Sequence, residues 1–202
     1  MIKGVIFDMD GVLVDNRDAH IEAFTRLFKK YGVPFDREKF MPSFGMTNDM
    51  IFARQAPELL ERYPLEQLSL EKEALYRSIF EESIAPTRGL VDFLKSLKEH
   101  GIKIAVGSSG NTNNVNFVLS RCRIAEYFDA IANGDMISHG KPDPEVYLLA
   151  AKLLGLKPEG CSRRYRGGTP GRNGCRGVGH YFFARPDSRL RYPGRRFHTA
   201  WL

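Results

Sequence analysis

Hydrophobic positions along this chain follow two patterns: short apolar runs, and positions spaced three or four residues apart. The short runs are typical of strands in a buried sheet, and they predict strands over residues 5–7, 102–106 and 128–131. The wider spacing is typical of amphipathic helices. It predicts helices over residues 19–31, 70–80, 89–100 and 144–155.

Strands that alternate with helices in this way predict an α/β fold with a parallel sheet. The chain has 202 residues and is 43% hydrophobic, which is enough for one sizeable core and a smaller inserted domain. Residues 16–86 have helical spacing and few strand signals. We therefore predict a core from residues 1–15 and 87–160, an inserted α-helical domain over 16–86 and an atypical Arg/Gly-rich tail over 161–202.

The charge of the chain is unevenly distributed. The net charge is +6, but residues 161–202 hold ten arginines, no lysine and one acid, which leaves residues 1–160 with a net charge of −3. Aromatic residues are interleaved with these arginines, and such a segment can bind nucleic acid through its charge. The arginines have no helical register and no recognised fold accompanies them, so nucleic acid is not the partner that we favour.

Cysteine usage and hydropathy indicate the setting of the protein. Cys122, Cys161 and Cys175 have neither C-x-x-C nor Cys/His metal spacing, which favours reduced thiols. The sequence has no apolar stretch of about 18 residues, and the apolar run at its start is too short for a signal peptide. We expect a cytoplasmic protein with no membrane partner.

Two aspartates separated by one residue, Asp8 and Asp10, follow the first predicted strand. In open α/β sheets ligands bind at the carboxyl ends of the strands, and Gly11 lets the chain turn so that both carboxylates face one site. One carboxylate can attack an electrophile while the other gives or takes a proton, provided that a cation offsets their repulsion. This chemistry suits phosphoryl transfer with Mg²⁺; the alternative is that the two aspartates only cap the loop.

The stretch F-D-M-D-G-V-L-V-D, from Phe7 to Asp15, resembles the first motif of the haloacid dehalogenase (HAD) superfamily. Together with later motifs, the resemblance extends over residues 1 to about 158. It implies a Rossmann-like parallel sheet core with an inserted α-helical cap that closes over the active site. It also implies that Asp8 is the nucleophile that becomes an aspartyl phosphate and that Asp10 is the general acid and base. Both residues hold Mg²⁺ in this resemblance, Asp10 through its backbone carbonyl.

Two later stretches resemble further motifs of the same superfamily. Ser108 and Ser109 follow the second predicted strand, where the resemblance implies phosphate binding, although an ordinary turn before a helix has the same residue types. Lys141 lies in Gly-Lys-Pro-Asp-Pro, where the resemblance implies that a lysine balances the charge of the nucleophile and the phosphate. The alternative for a lone lysine is a solvated surface charge.

The inserted segment resembles the β-phosphoglucomutase-like branch of the superfamily. Lys72 has the K-x-x-x-Y spacing of that branch, and His20 matches its hinge histidine. The structural alternatives are an ion pair of Lys72 with Glu71 or Glu73, and packing of His20 against a helix. Asn48 stands where the branch has an arginine that clamps the distal phosphate of a bisphosphorylated intermediate, and an amide cannot make that charge-assisted bidentate bond.

These matches predict the Mg²⁺-dependent hydrolysis of a small phosphate monoester, such as a sugar phosphate, through an aspartyl-phosphate intermediate. A β-phosphoglucomutase-like phosphomutase is the alternative. The asparagine at position 48 favours the phosphatase, because a mutase must hold a second phosphate whereas a phosphatase releases its product to water.

The tail departs from the superfamily after Cys161. The family continues with a buried strand that ends in an acidic pair for Mg²⁺, whereas this chain has no acid between Cys161 and Asp187. Our hypothesis is a shift of reading frame near codon 161, which resequencing of the locus tests. A third possibility is therefore an inactive protein, because the missing strand is expected to leave an unpaired sheet edge and a weak metal site.

Overall fold

The computed structural model describes residues 3–157 and 180–183, and in them a four-stranded sheet. The strands are β1 (Gly4–Phe7), β2 (Lys103–Gly107), β3 (Ala130–Ala132) and β4 (His180–Phe183). Their order in the sheet is β3-β2-β1-β4; β1, β2 and β3 run parallel, and β4 runs antiparallel to β1. The predicted α/β fold with a parallel sheet is confirmed.

Eight α-helices accompany the sheet in the described residues. They are α1 (Arg17–Lys30), α2 (Arg37–Phe40), α3 (Asn48–Gln55), α4 (Pro57–Arg62), α5 (Leu65–Phe80), α6 (Leu90–Glu99), α7 (Thr112–Arg121) and α8 (Glu145–Leu153). None of these helices is long and apolar enough to span a membrane.

The two faces of the sheet are covered by different helices, as the alternation of side chains in β1 requires. Val5 and Phe7 belong to a hydrophobic cluster that also contains the apolar faces of α6 and α7. Ile6, between them, belongs to a second cluster with Val146 and Ala150 of α8. All four residues of β1 are buried, which explains why its sequence is an unbroken apolar run.

The helices between β1 and α6 form a hydrophobic cluster of their own. Its centre is aromatic: Phe24 of α1 lies within 6 Å of Phe28, Phe40 and Phe52 between ring centroids, in tilted and edge-to-face arrangements. Leu68 of α5 closes this cluster and is fully buried. The all-helical character predicted for this segment therefore rests on a core separate from that of the sheet.

The chain leaves the sheet region and returns to it at adjacent points. Val14 forms an isolated bridge with Pro86, and the backbone N–H of Thr87 donates to the carbonyl oxygen of Leu13 at 2.8 Å. These contacts lie next to the domain limits predicted at residues 15/16 and 86/87. The limits themselves stay a prediction.

Two sequence-based expectations about the sheet and the tail need correction or restriction. The sequence predicts an unpaired sheet edge. This prediction is wrong, because residues 180–183 pair antiparallel with β1. The sequence of β4 is His-Tyr-Phe-Phe, so the strand contributes no carboxylate. The other tail residues, 158–179 and 184–202, which carry the frame-shift and nucleic-acid hypotheses, lie outside the described residues.

Candidate active site

The first predicted site residue, Asp8, directly follows β1 at the carboxyl end of the sheet. Its side chain is nearly buried, and each oxygen has a partner: Oδ1 accepts from the Met9 backbone N–H at 2.8 Å, and Oδ2 lies 2.8 Å from Nζ of Lys141. Burial raises the pKa of Asp8, and the positive charge of Lys141 opposes this rise. Lys141 is therefore the group that favours the ionised form of Asp8.

Lys141 itself is held in place from two sides. Its Nζ donates to the carbonyl oxygen of Gly107, at the end of β2, at 3.4 Å. It also lies over the ring of Tyr147 in α8, 4.9 Å from the ring centroid. A side chain that is only 12% exposed and points at a buried carboxylate is not a solvated surface charge.

A tight turn brings Asp10 back toward Asp8. Gly11 has a φ of +74°, a conformation that favours glycine, and its N–H donates to the carbonyl oxygen of Val14 at 2.9 Å. Oδ1 of Asp10 accepts from Nδ2 of Asn16 at 2.7 Å. Burial raises the pKa of Asp10, but the interactions with His20 and Asn16 outweigh it and lower the pKa to about 2. Asp10 is therefore ionised at neutral pH.

The two serines lie in the loop after β2 but differ in their contacts. Ser108 is fully buried, and its Oγ accepts from the Gly110 N–H at 3.0 Å. Ser109 lines the cavity beside Asp10, and its buried Oγ has no hydrogen-bond partner among the described residues. An unpartnered hydroxyl at this place is a ready donor to a ligand oxygen.

A cavity of about 310 Å³ lies between the helical segment and the carboxyl end of the sheet. Five of the predicted site residues line it: Asp10, His20, Asn48, Lys72 and Ser109. Asp8 and Lys141 contact each other next to this cavity, where both interact electrostatically with Asp10. The structure thus brings all of the predicted residues to one region, while their catalytic roles stay predictions.

His20 and Lys72 contact each other inside this cavity. Nζ of Lys72 lies 2.9 Å from Nδ1 of His20, and because an ammonium only donates, Nδ1 is the acceptor. The other ring nitrogen, Nε2, lies 3.6 Å from Oδ1 of Asp10, and the ring stacks on Tyr76 at 4.0 Å between centroids. Burial and the neighbouring charge of Lys72 lower the pKa of His20, so the ring is neutral near pH 7.

The ion-pair alternative for Lys72 also holds, with Glu73 as the partner. Its Nζ lies 2.9 Å from Oε1 of Glu73, whereas Glu71 pairs with Lys30 at the surface. The carboxylate of Glu73 also accepts from Nδ2 of Asn114 in α7 at 2.5 Å, and this hydrogen bond joins the helical segment to the sheet core. Sequence reasoning missed Glu73 and Asn114 as site residues; the only signal was that Glu73 adjoins Lys72 in a cap helix.

Comparison with known proteins decides the family. A model of the haloacid dehalogenase-like hydrolase family matches residues 5–161. The chain belongs to this family. The resemblance inferred from the motifs is therefore confirmed, and the chain is an enzyme of the haloacid dehalogenase-like hydrolases.

The relatives of this haloacid dehalogenase-like hydrolase include phosphatases and phosphomutases. A phosphorylated carbohydrates phosphatase of Thermotoga maritima is 32% identical over 163 residues, which cover 78% of this chain and 73% of that protein. The fructose-1-phosphate phosphatase YqaB of Escherichia coli is 31% identical over 167 residues, which cover 78% of this chain and 83% of that protein. The crystal structure of a β-phosphoglucomutase from Clostridium difficile has a TM-score of 0.70 at 29% identity and covers 79% of this chain and 74% of that chain.

Haloacid dehalogenase-like hydrolases generally use a divalent metal, and two residues of this chain suit one. Asp8 can supply a carboxylate oxygen and Asp10 its backbone carbonyl oxygen; Mg²⁺ prefers oxygen ligands and commonly takes one or two carboxylates together with water and substrate phosphate. Residues 3–157 and 180–183 contain no group of three or more His, Cys, Asp or Glu that could hold a metal. Among the described residues, Asp8 and Asp10 are the groups that fit Mg²⁺.

Proposed function

We propose that this haloacid dehalogenase-like hydrolase is a phosphatase that releases phosphate from a small phosphate monoester, such as a sugar phosphate. The observation that carries the proposal is the contact of Asp8 Oδ2 with Lys141 Nζ at 2.8 Å, at the carboxyl end of β1 and beside Asp10. A nearly buried carboxylate paired with one lysine can act as a nucleophile toward phosphorus, because the lysine also attracts the phosphoryl oxygens. The names of the two phosphatase relatives support the substrate class.

In the first step a carboxylate oxygen of Asp8 attacks phosphorus, and the bond between phosphorus and the alcohol oxygen breaks. Asp10 gives a proton to the departing oxygen, so that a neutral alcohol leaves. In the second step Asp10 takes a proton from water, which attacks the phosphorus of the aspartyl phosphate. The bond from phosphorus to Asp8 then breaks, and inorganic phosphate is released.

The protonation of Asp10 follows from binding of the substrate. With a pKa of about 2 the free carboxylate is ionised and cannot donate a proton. A phosphate ester held near Lys141 brings negative charge beside Asp10 and raises its pKa, because like charges disfavour the ionised form. Asp10 therefore takes up a proton together with the substrate and has it available for the leaving group.

The serine loop provides hydrogen-bond donors for the phosphoryl group. The unpartnered Oγ of Ser109 donates to a phosphoryl oxygen, and the hydrogen of the Ser108 hydroxyl is free to do the same. Asp8 and Asp10 would hold Mg²⁺, which when bound offsets the negative charge that the phosphoryl group carries. Residues 16–86 act as the cap that shields this chemistry from water.

A phosphomutase is the second candidate, since the Clostridium difficile enzyme has the same fold. Asn48 argues against it. Its Nδ2 donates to Oε1 of Glu73 at 2.8 Å, so the side chain is already engaged with a carboxylate and offers no positive charge to a second phosphate. This contact favours the phosphatase.

Phosphorus NMR of reactions with hexose 1-phosphates tests both candidates, with Mg²⁺ and with excess chelator. We expect free phosphate to appear only when Mg²⁺ is present. Conversion of a hexose 1-phosphate into the 6-phosphate would identify a mutase. Unchanged substrate in both samples, from folded protein, would contradict hydrolysis and favour the inactive alternative.

A further inference from the structure

The lining of the cavity beside Asp10 is rich in carboxylates. Among the described residues that line it, the acids are Asp10, Asp49, Glu73 and Asp135, whereas Lys72 is the only lysine or arginine. Because these acids outnumber the one lysine, the cavity lining has a negative net charge.

Glu73 contributes most to this character because it neutralises the one cation. Glu73 is 6% exposed, and its Oε1 accepts from Lys72 Nζ at 2.9 Å and from Asn48 Nδ2 at 2.8 Å. Its Oε2 accepts from Asn114 Nδ2 at 2.5 Å. With all three neighbours donating to it, the carboxylate is fixed in the cavity wall, and Lys72 has little charge left for an anionic ligand.

We propose that Glu73 is a specificity-determining residue that restricts the substrate to phosphate monoesters whose alcohol half is uncharged and rich in hydroxyl groups. The proposal rests on the proposed phosphatase function and deepens it. A second phosphate or a carboxylate on the alcohol would lie against Glu73 and Asp49 with no free cation to pair it, and like charges across an interface disfavour binding. Sugar hydroxyls, in contrast, can donate to Oδ1 of Asn48 and accept from Nδ2 of Asn111, two amides in the cavity lining whose other amide atoms contact Glu73 and the Asn114 N–H.

The test compares two ligands that differ by one phosphate. Binding of glucose 1-phosphate and glucose 1,6-bisphosphate to the Asp8→Asn protein is measured by calorimetry in the presence of Mg²⁺, so that binding is read without turnover. We expect the monophosphate to bind at least about tenfold more tightly than the bisphosphate. Equal or tighter binding of the bisphosphate, or no binding of either ligand, would overturn the proposal.

Variants on the same background assign the effect to Glu73. Glu73→Gln, which removes the charge and keeps the shape, is expected to bring the affinity ratio to within about threefold of one. Glu71→Gln is the matched control, since it removes a carboxylate from the same helix outside the cavity and leaves the ratio unchanged. Asn48→Arg, which leaves Glu73 in place, is expected to improve bisphosphate binding and serves where Glu73→Gln does not fold. A ratio that neither cavity variant changes would refute the role of Glu73.

Turnover by the wild-type protein separates this proposal from the proposed function. Selective binding of the monophosphate without any release of phosphate would contradict the phosphatase and support the role of Glu73. Release of phosphate at equal rates from the monophosphate and the bisphosphate would support the phosphatase and contradict the role of Glu73.

Discussion

Replacing Lys141 with glutamine removes the cation that contacts Asp8. The two charges are 2.8 Å apart, and the side chains are 12% and 11% exposed. At an effective dielectric constant of about 20 such charges attract by about 6 kcal/mol, and removing one partner of a buried pair costs about 3–5 kcal/mol. We expect Lys141→Gln to lower kcat by about 10²- to 10³-fold, as for the loss of one preorganised charge-stabilising group.

The pH dependence gives this prediction its sign. Burial already raises the pKa of Asp8, and without Lys141 the pKa rises further. Because the nucleophile must be ionised, the acid limb of kcat/KM moves to higher pH. A carboxyl whose pKa is raised in the folded state contributes stability below its unfolded pKa and loses it as pH rises through the folded value. The variant is therefore least stable, relative to wild type, at alkaline pH.

The assays are phosphate release from pH 5 to pH 9 and thermal unfolding over the same range. Lys152→Gln is the matched control, because Lys152 is an exposed lysine of α8 outside the cavity around Asp10. The control is expected to keep the wild-type profile. An acid limb that does not move in Lys141→Gln, together with a stability deficit that is the same at every pH, would refute the assigned role of the ion pair.

Three further substitutions test the surroundings of the site. In wild type the melting temperature should fall as pH decreases from about 7 to 5, because protonated His20 would lie beside Lys72. Each kcal/mol of stability lost lowers the melting temperature by about 2–4 °C. His20→Gln should flatten this slope, and an unchanged slope would contradict the buried neutral ring. Gly134→Ala adds a Cβ 2.4 Å from the backbone oxygen of Ser109 and should cost about 1–3 kcal/mol in chemical denaturation; wild-type stability would refute the close approach. Arg77→Ala removes a hydrogen bond to Asn114 that joins α5 to α7, and should raise KM severalfold with little change in kcat; a fall in kcat alone would argue against a positioning role.

The three parallel strands and the helices α1, α5, α6 and α8 could be predicted because their patterns are strong. β1 and β2 are short apolar runs. α6 ends at Glu99, two residues before Gly101, whose φ is +66°. The third strand begins at Ala130, two residues later than the sequence predicts. Asp129 uses its carboxylate to accept from the Ile104 N–H at 2.7 Å, so side-chain and backbone contacts of Asp129 precede the regular ladder of β3.

The short helices of the insertion had no usable sequence pattern. α2 is four residues long, too short for an amphipathic stripe, and begins because the carboxylate of Asp36 accepts from the N–H groups of Glu38 and Lys39. α4 begins at Pro57, whose fixed φ suits the first helical turn. α8 begins at Glu145, one residue later than predicted. Local capping, rather than hydrophobic spacing, decides where such helices lie.

Some residues of the candidate site could be predicted from the sequence and others could not. Asp8, Ser108 and the lysine before Pro142 follow strands or precede a helix, so the order of elements along the chain places them at one edge of the sheet. Glu73 and Asn114 come from α5 and α7, which are far apart in sequence. Their contact depends on how the insertion packs on the core, and no local pattern predicts it.

The central claim, that Asp8 is the nucleophile, is tested most directly by the initial rate of phosphate release from hexose phosphates with Mg²⁺. The protein with Asp8→Asn is compared with wild type and with Asp18→Asn, which changes an exposed acid of α1. The account predicts release by wild type and Asp18→Asn and a rate at least about 10³-fold lower for Asp8→Asn. Release by Asp8→Asn at a rate close to that of wild type would contradict it.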